Sequence, residues 1–150
     1  VDLGRAYGMS GQLDQAIEEF KNALNLDPNL VEAHYALGVS FRHQGIFPLA
    51  IESLQKVVGQ RPNFTEAYIN LGYAYRDQGT LEEATEAFRA AGQIEPNNYR
   101  VSHELGITYM KQHRYEKAII AFQKALKIRP DAVQTQNNLM VAQARSAKNR

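Results

Sequence analysis

Apolar residues recur at spacings of three and four along most of the chain, which places them in stripes on one face of a helix. Each stripe is short, and breaks such as Gln44-Gly45 and Gln78-Gly79 separate one stripe from the next. Glycine at such a break can take the left-handed conformation that ends a helix. Two stripes joined by a break predict a helical hairpin, and the chain contains one such pattern after another. The hydrophobic pattern therefore predicts an all-α fold.

The hairpin pattern repeats at an offset of 34 residues. In each first half, a Leu-Gly pair is followed three residues after the glycine by an aromatic residue. In each second half, alanine is followed four residues later by Phe or Leu, and proline ends the unit. The recurring small residues and prolines are Gly4, Gly38, Gly72, Gly106, Ala16, Ala50, Ala84, Ala118, Pro28, Pro62, Pro96 and Pro130. Glycine within a helix costs about 1 kcal/mol relative to alanine, so its recurrence predicts two closely packed helices, with the alanines facing the glycines.

This order of Leu-Gly, aromatic, Ala, Phe, Ala and Pro resembles the tetratricopeptide repeat family over essentially the whole chain. The resemblance implies one domain, residues 1–150, folded as a right-handed α-α superhelix of about four repeats and a C-terminal capping helix. The expected units are about 1–30 (incomplete), 31–64, 65–98 and 99–132, with the capping helix at about 133–147. The sequence departs from the family pattern at His34, Tyr68 and Ser102, where a bulky aromatic is usual, and at His113, where a turn glycine is usual.

The first unit begins within its first helix, at Val1-Asp2-Leu3-Gly4. We therefore expect the chain to be a fragment of a longer protein. An incomplete repeat exposes core surface, which makes self-association through the N-terminal unit a second expectation.

Composition narrows the classes of partner. Hydrophobic residues make up 44% of the chain and charged residues 22%, as in soluble folded proteins. The net charge of +1 favours neither nucleic acid nor an anionic membrane, and the chain has no cysteine. No apolar run approaches the roughly 20 residues of a membrane span, so we expect no membrane span and take a cytoplasmic location as the default.

Catalytic and metal-binding patterns are not evident in the sequence. His34, His43, His103 and His113 lie apart, without the i, i+4 pairing of a helical zinc site. The glycines follow the repeat instead of forming a phosphate-binding loop. We therefore expect a non-enzymatic protein without cofactor or metal.

The first helix of each repeat is expected to line a concave wall, the usual binding surface in proteins of this family. Helical spacing and the family resemblance together put positions 2, 5, 6, 9, 12 and 13 of each unit on that wall. The predicted partner-binding residues are Tyr35, Val39, Arg42, Ile69, Asn70, Tyr73, Arg76, Arg100, His103, Ile107 and Met110. Tight winding, which would bury part of this wall in the core, is the alternative. Charges divide the wall further, because Glu32 and Glu66 lie near one end of the first helices and Arg42 and Arg76 near the other.

One ligand class of the family can be compared directly. Members that bind acidic chaperone tails use a lysine and an asparagine, then an asparagine, then a lysine and an arginine on three successive first helices. The corresponding residues here are Tyr35, Val39, Asn70, Arg100 and Glu104. Only Asn70 matches, and Glu104 would repel the tail carboxylate, so the sequence argues against that clamp.

The leading functional hypothesis is a protein-protein interaction scaffold that binds a peptide or partner segment in the concave groove. The alternatives are a structural assembly module that stacks or self-associates, and the recruiting repeat region of a larger protein. Exposed clusters at the hairpin turns, involving Leu30, Ile46, Phe47 and Phe64, would favour assembly.

Overall fold

The computed structural model describes residues 12–148, which form α-helices joined by short turns and contain no β-strand. We number the helices in chain order: α1 Leu13–Leu26, α2 Val31–His43, α3 Phe47–Gln60, α4 Thr65–Gln78, α5 Leu81–Ile94, α6 Tyr99–Lys111, α7 Tyr115–Ile128 and α8 Val133–Lys148. The predicted all-α architecture of helical hairpins is confirmed. The opening residues of the first unit lie outside the described residues, so the expectation of an incomplete N-terminal repeat stays a prediction.

The turns within the hairpins share a residue in the left-handed backbone conformation. Gly45 and Gly79 have φ angles of 74° and 95°, in the left-handed region that glycine adopts without steric cost. His113 takes the third of these turns with φ 59°, and it is the one non-glycine residue with positive φ among those described. A backbone bond from Arg114 N–H to the Tyr109 carbonyl, 2.9 Å, closes this turn as a Schellman-type cap. Histidine therefore keeps the turn geometry that the family pattern assigns to glycine.

The core of each hairpin depends on the repeating glycine. A Cβ added at Gly72 would lie 2.8 Å from Cε1 and Cζ of Phe88, and one added at Gly38 would lie 2.5 Å from Cγ of Leu54. The expected close approach is therefore present. Its nearest neighbour, however, is the Phe or Leu four residues after the alanine, while the alanine itself is fully buried beside it. The glycine makes room for a large side chain, because a helix surface without Cβ leaves a socket for the ring.

The departures from the family pattern are accommodated locally. His34 is buried, and its Nε2 donates to the carbonyl oxygen of Pro28 at 2.9 Å, which satisfies the ring. Ser102 is also buried, whereas Tyr68 is half-buried. A hydrogen bond to the preceding turn thus replaces the packing of a larger aromatic at His34.

The hairpins stack so that their first helices share one side. Each helix packs on its neighbours in sequence, and in addition α2 contacts α4 and α6 contacts α8. These contacts, together with the bonds from Tyr73 and Arg76 on α4 to Glu104 on α6, bring α2, α4, α6 and α8 together along one side of the stack. We call the surface formed by α2, α4 and α6 on this side the inner wall.

Candidate partner-binding wall

The inner wall carries a row of half-exposed side chains. Arg100 is exposed, and the other predicted residues with accessible surface are neither buried nor fully exposed: Tyr35, Val39, Arg42, Tyr73, Arg76, Ile107 and Met110. Apolar and aromatic side chains therefore alternate with guanidinium groups along three neighbouring helices. Such mixed surfaces, partly apolar and carrying Tyr and Arg, are typical of contact sites.

Three predicted wall residues lie deeper than the rest. Ile69 has no exposed surface and packs with Phe88 and Val101, so it belongs to the core and cannot contact a partner in this structure. Asn70 and His103 each keep 8% of their surface exposed and use their polar atoms in internal hydrogen bonds. The packing of α4 against α5 and α6 buries the helix face that carries Ile69. For this residue the alternative applies, in which tight winding of the repeats places part of the wall in the core.

An ion pair joins α4 and α6 at the middle of the inner wall. Arg76 Nη1 lies 2.5 Å from Glu104 Oε2, and both side chains are mostly buried, with 14% and 16% exposed. Tyr73 Oη donates to the other oxygen, Oε1 of Glu104, at 3.2 Å. Burial, with the neighbouring Glu104 carboxylate acting in the same direction, raises the pKa of Tyr73 to about 12. One carboxylate thus holds two of the predicted partner-binding residues in place.

The predicted acidic end of the wall is occupied by internal ion pairs. Glu66 pairs with Arg100, its counterpart one repeat later, and Glu32 pairs with Arg61 at 2.7 Å. Residues at the same position of successive repeats lie side by side in the stack, which explains the pairing of Glu66 and Arg100. Neither glutamate presents an unpaired charge to a partner in this arrangement.

Tyr35 is fixed by contacts from the next repeat. Asn70 Nδ2 donates to Tyr35 Oη at 3.1 Å and to the Glu66 carbonyl at 2.8 Å. The Tyr35 ring packs against Phe64 with 5.0 Å between centroids. Burial, followed by the Glu66 carboxylate, raises the pKa of Tyr35. Asn70 therefore acts as a support for the wall more than as an accessible ligand-contacting group.

His103 belongs to a small hydrogen-bonded cluster that ties α6 to α8. Its Nδ1 lies 2.8 Å from Oγ1 of the fully buried Thr135, which also lies 2.7 Å from the Tyr99 hydroxyl. Burial is the main cause that lowers the pKa of His103, which keeps the ring neutral. Sequence reasoning missed Tyr99 and Thr135, although their separation of about one repeat was an available signal.

Arg42 differs from the other wall arginines because it forms no ion pair within residues 12–148. Its Nη2 lies 3.2 Å from Nε2 of His43, and its Nε is buried without a hydrogen-bond partner. The guanidinium carbon lies 5.4 Å from the centre of the Tyr73 ring, a cation–π distance. Burial and the Arg42 charge lower the pKa of His43. Among the described residues, Arg42 is therefore a positive charge without an acidic partner at the α2 side of the wall.

The described part of the chain contains neither a metal-binding cluster nor a membrane-spanning helix. Within residues 12–148, no three side chains of the His, Cys, Asp and Glu types are grouped as a metal site would require. Over the same residues, no helix has both the length and the apolar character needed to cross a bilayer.

Family models match successive parts of the chain. A model described as TPR repeat matches residues 4–45, and one described as Tetratricopeptide repeat matches residues 32–63. A third, described as Regulator of microtubule dynamics protein 1-3, matches residues 64–147. No curated protein sequence gives a significant match.

Solved structures resemble the whole stack. A crystal structure of MamA shares 30% identity with a TM-score of 0.90, covering 95% of this chain and 83% of that one. MamA from Desulfovibrio magneticus shares 26% identity and a TM-score of 0.84, with 88% and 75% covered. Pseudomonas aeruginosa PilF shares 25% identity and a TM-score of 0.84, with 98% and 67% covered.

Tetratricopeptide folds are typically non-enzymatic scaffolds. The 34-residue period sets first helices starting at residues 31, 65 and 99 in the structure. With these matches and this period, the chain belongs to the tetratricopeptide repeat family and, like that family in general, is a protein-interaction scaffold.

Proposed function

We propose that the inner wall binds a peptide segment of a partner protein. The observation that carries this proposal is the row of half-exposed residues on α2, α4 and α6, in which Val39, Ile107 and Met110 are apolar and accessible. Covering such surface is favourable by about 25 cal/mol per Å² of apolar area. The side chains around it are held by internal bonds, so little ordering is needed when a partner binds.

Rigidity supports the same proposal. Tyr35 is held by Asn70 and Phe64, and Tyr73 is held by Glu104. Preorganised aromatic side chains lose little conformational freedom on binding, which is why Tyr is enriched where contacts are strongest.

Site-specific photo-cross-linking tests the proposal. A benzophenone amino acid at Val39 reports contacts of the inner wall, and the same group at Ile120 is the matched control. Ile120 is apolar and 67% exposed but lies on α7, a second helix. The supporting result is one partner segment, mapped by mass spectrometry, that cross-links from Val39 and not from Ile120.

A charge substitution separates specific docking from non-specific capture. Ile107→Lys adds a charge to the wall, and the control Ile120→Lys adds one outside it. We expect the first to abolish the Val39 cross-link and the second to preserve it, with circular dichroism verifying that both variants fold. The same proteins recovered from Val39 and Ile120 would overturn the proposal.

Self-assembly is a second candidate, favoured by α8. Val133, Met140 and Val141 on this helix are 65%, 60% and 45% exposed. Among the turn residues whose exposure would favour assembly, Ile46 is 39% exposed, and Leu30, Phe47 and Phe64 are half-buried. Sedimentation over a concentration series tests this candidate. Self-association that Met140→Lys removes and Ile120→Lys retains would support it, whereas a monomer at every concentration would refute it.

A further inference from the structure

The repeat provides an internal comparison for Arg42. Arg42 and Arg76 occupy the same position of successive repeats, 34 residues apart, and both guanidinium carbons lie within 5.4 Å of the Tyr73 ring centre. Arg76 is neutralised by Glu104, which belongs to the next repeat. The residue that corresponds to Glu104 one repeat earlier is Asn70. The repeat position that holds the carboxylate partner of Arg76 therefore holds an amide one repeat earlier, on the first helix of the repeat that follows Arg42.

The Asn70 amide does not replace the missing carboxylate. Its Nδ2 donates to the Tyr35 hydroxyl and to the Glu66 carbonyl, and no hydrogen bond joins it to Arg42. Glu66, an acidic residue on the next first helix, is already paired with Arg100. Among residues 12–148, Arg42 therefore has no acidic partner, and its side-chain contacts are the His43 ring nitrogen and the face of the Tyr73 ring.

An arginine without an acidic partner has N–H donors that can bind a further acceptor. Its buried Nε has no acceptor in the described part of the chain, and a buried donor without a partner is unfavourable. A guanidinium presents a planar fork that matches a carboxylate with two parallel hydrogen bonds. The Tyr73 ring beside Arg42 limits the positions of the fork and lowers the ordering cost of binding.

We propose that Arg42 binds a carboxylate of the partner segment, so that the ligand supplies the acidic group that Glu104 supplies to Arg76. This inference rests on the proposed function of the inner wall and specifies the ligand as an acidic peptide. It differs from the chaperone-tail clamp, whose residues are mostly absent here, because one guanidinium on α2 and the Tyr73 ring form the site. The carboxylate comes from an Asp or Glu side chain or from a C-terminus.

A small dicarboxylate probes the site without the partner. Glutarate is titrated into labelled protein at constant ionic strength, and the Arg42 Nε–Hε resonance is followed by NMR. We expect a saturable shift of this resonance that chloride at the same ionic strength does not reproduce. Arg42→Gln removes both the charge and this resonance, so its glutarate affinity is measured by isothermal titration calorimetry. We expect it to be at least about tenfold weaker, since charged hydrogen bonds contribute about 1.5–3 kcal/mol.

Two variants use the repeat comparison as controls. Asn70→Glu gives Arg42 the internal carboxylate that Arg76 has, and we expect it to abolish the glutarate response while Arg42 is still present. Glu104→Gln releases Arg76 and should create a second responding arginine. Arg89→Gln, on the exposed surface of α5, should change nothing. An unresponsive Arg42 in the unmodified protein, or an equal response in Asn70→Glu, would overturn the inference.

Peptide selection separates this inference from the proposed function and identifies the source of the carboxylate. Random dodecapeptides are displayed with either a free or an amide-fused C-terminus, and those retained by the protein are sequenced. Enrichment of Asp and Glu in both formats, lost with Arg42→Gln, indicates a side-chain carboxylate, and enrichment only with a free C-terminus indicates a terminal one. Peptides that bind without acidic preference would refute the carboxylate site and leave the groove intact. A glutarate response without any retained peptide would refute peptide binding instead.

Discussion

Arg76 and Glu104, which are 28 residues apart in the sequence, form a 2.5 Å ion pair that joins two adjacent hairpins across the inner wall. The pair is mostly shielded from solvent, and it also orients the Tyr73 hydroxyl. An ion pair in such a place links the stability of the stack to the shape of the candidate binding surface.

Removal of this carboxylate should destabilise the fold. Glu104→Gln leaves the Arg76 charge partly buried without its partner, and we expect the free energy of unfolding to fall by about 1–3 kcal/mol. The matched control is Glu86→Gln, which removes an exposed pair with Arg89 and should cost less than about 0.5 kcal/mol. Urea denaturation measures both changes. Equal effects would mean that the inner-wall pair contributes no more than a surface pair.

The glycine socket predicts a second contrast. Gly72→Ala places a Cβ 2.8 Å from the Phe88 ring, and we expect it to destabilise the protein by about 1–3 kcal/mol despite the better helix propensity of alanine. Gly59→Ala is the control, because nothing lies within 4 Å of the added Cβ. This variant should be neutral or more stable by up to about 1 kcal/mol.

A second substitution tests the cause of the Gly72 effect. Phe88→Ala removes the ring that faces Gly72, and it should reduce the cost of Gly72→Ala in a double-mutant cycle. Additive effects in the same urea experiment would show that the ring is not the obstacle.

The repeat explains why so much of the fold could be predicted. A period of 34 residues fixes each helix, each turn and the buried faces at once, and even His113 keeps the turn that the pattern assigns to glycine. The depth of individual wall residues could not be predicted in the same way. Ile69 and Tyr73 lie on one helix four residues apart, yet only Ile69 is fully buried, because exposure depends on the angle between successive hairpins.

The side-chain ion pairs between adjacent repeats also could not be predicted from the hydrophobic pattern of single helices. The ion pair of Arg76 and Glu104, and the lack of an ion pair at Arg42 within residues 12–148, depend on which positions of adjacent repeats face each other. Once the structure gives that correspondence, the difference between Glu104 and Asn70 can be recognised directly in the sequence. A repeat protein thus reveals its exceptional positions by comparison with its own neighbouring units.

The lowered pKa of His103 predicts that the free energy of unfolding decreases in mild acid. Burial lowers the pKa of His103 below its usual 6.5, and Arg76 acts in the same direction against the opposing Glu104. The unfolded chain therefore binds a proton more readily than the folded one, and stability falls as the pH drops below 6.5. We expect His103→Gln to flatten this dependence in urea titrations at pH 7.0, 6.0 and 5.5. An unchanged slope would assign the acid sensitivity to other groups.

The raised pKa of Tyr73 predicts that the fold also loses stability in alkali. Its pKa is raised from 10.0 to about 12, chiefly by burial and then by Glu104, so the folded state holds the phenolic proton when the unfolded chain has lost it. Below pH 10 both states are protonated and the contribution is fully present, whereas stability declines as the pH rises from 10 towards 12. Tyr73→Phe cannot ionise, and we expect it to reduce the decline across that interval although it loses the bond to Glu104. Tyr109→Phe, a half-buried tyrosine on α6 outside this cluster, serves as the control in the same series. If both variants lose stability with pH as steeply as the unmodified protein, the alkaline transition does not depend on the proton shared between Tyr73 and Glu104.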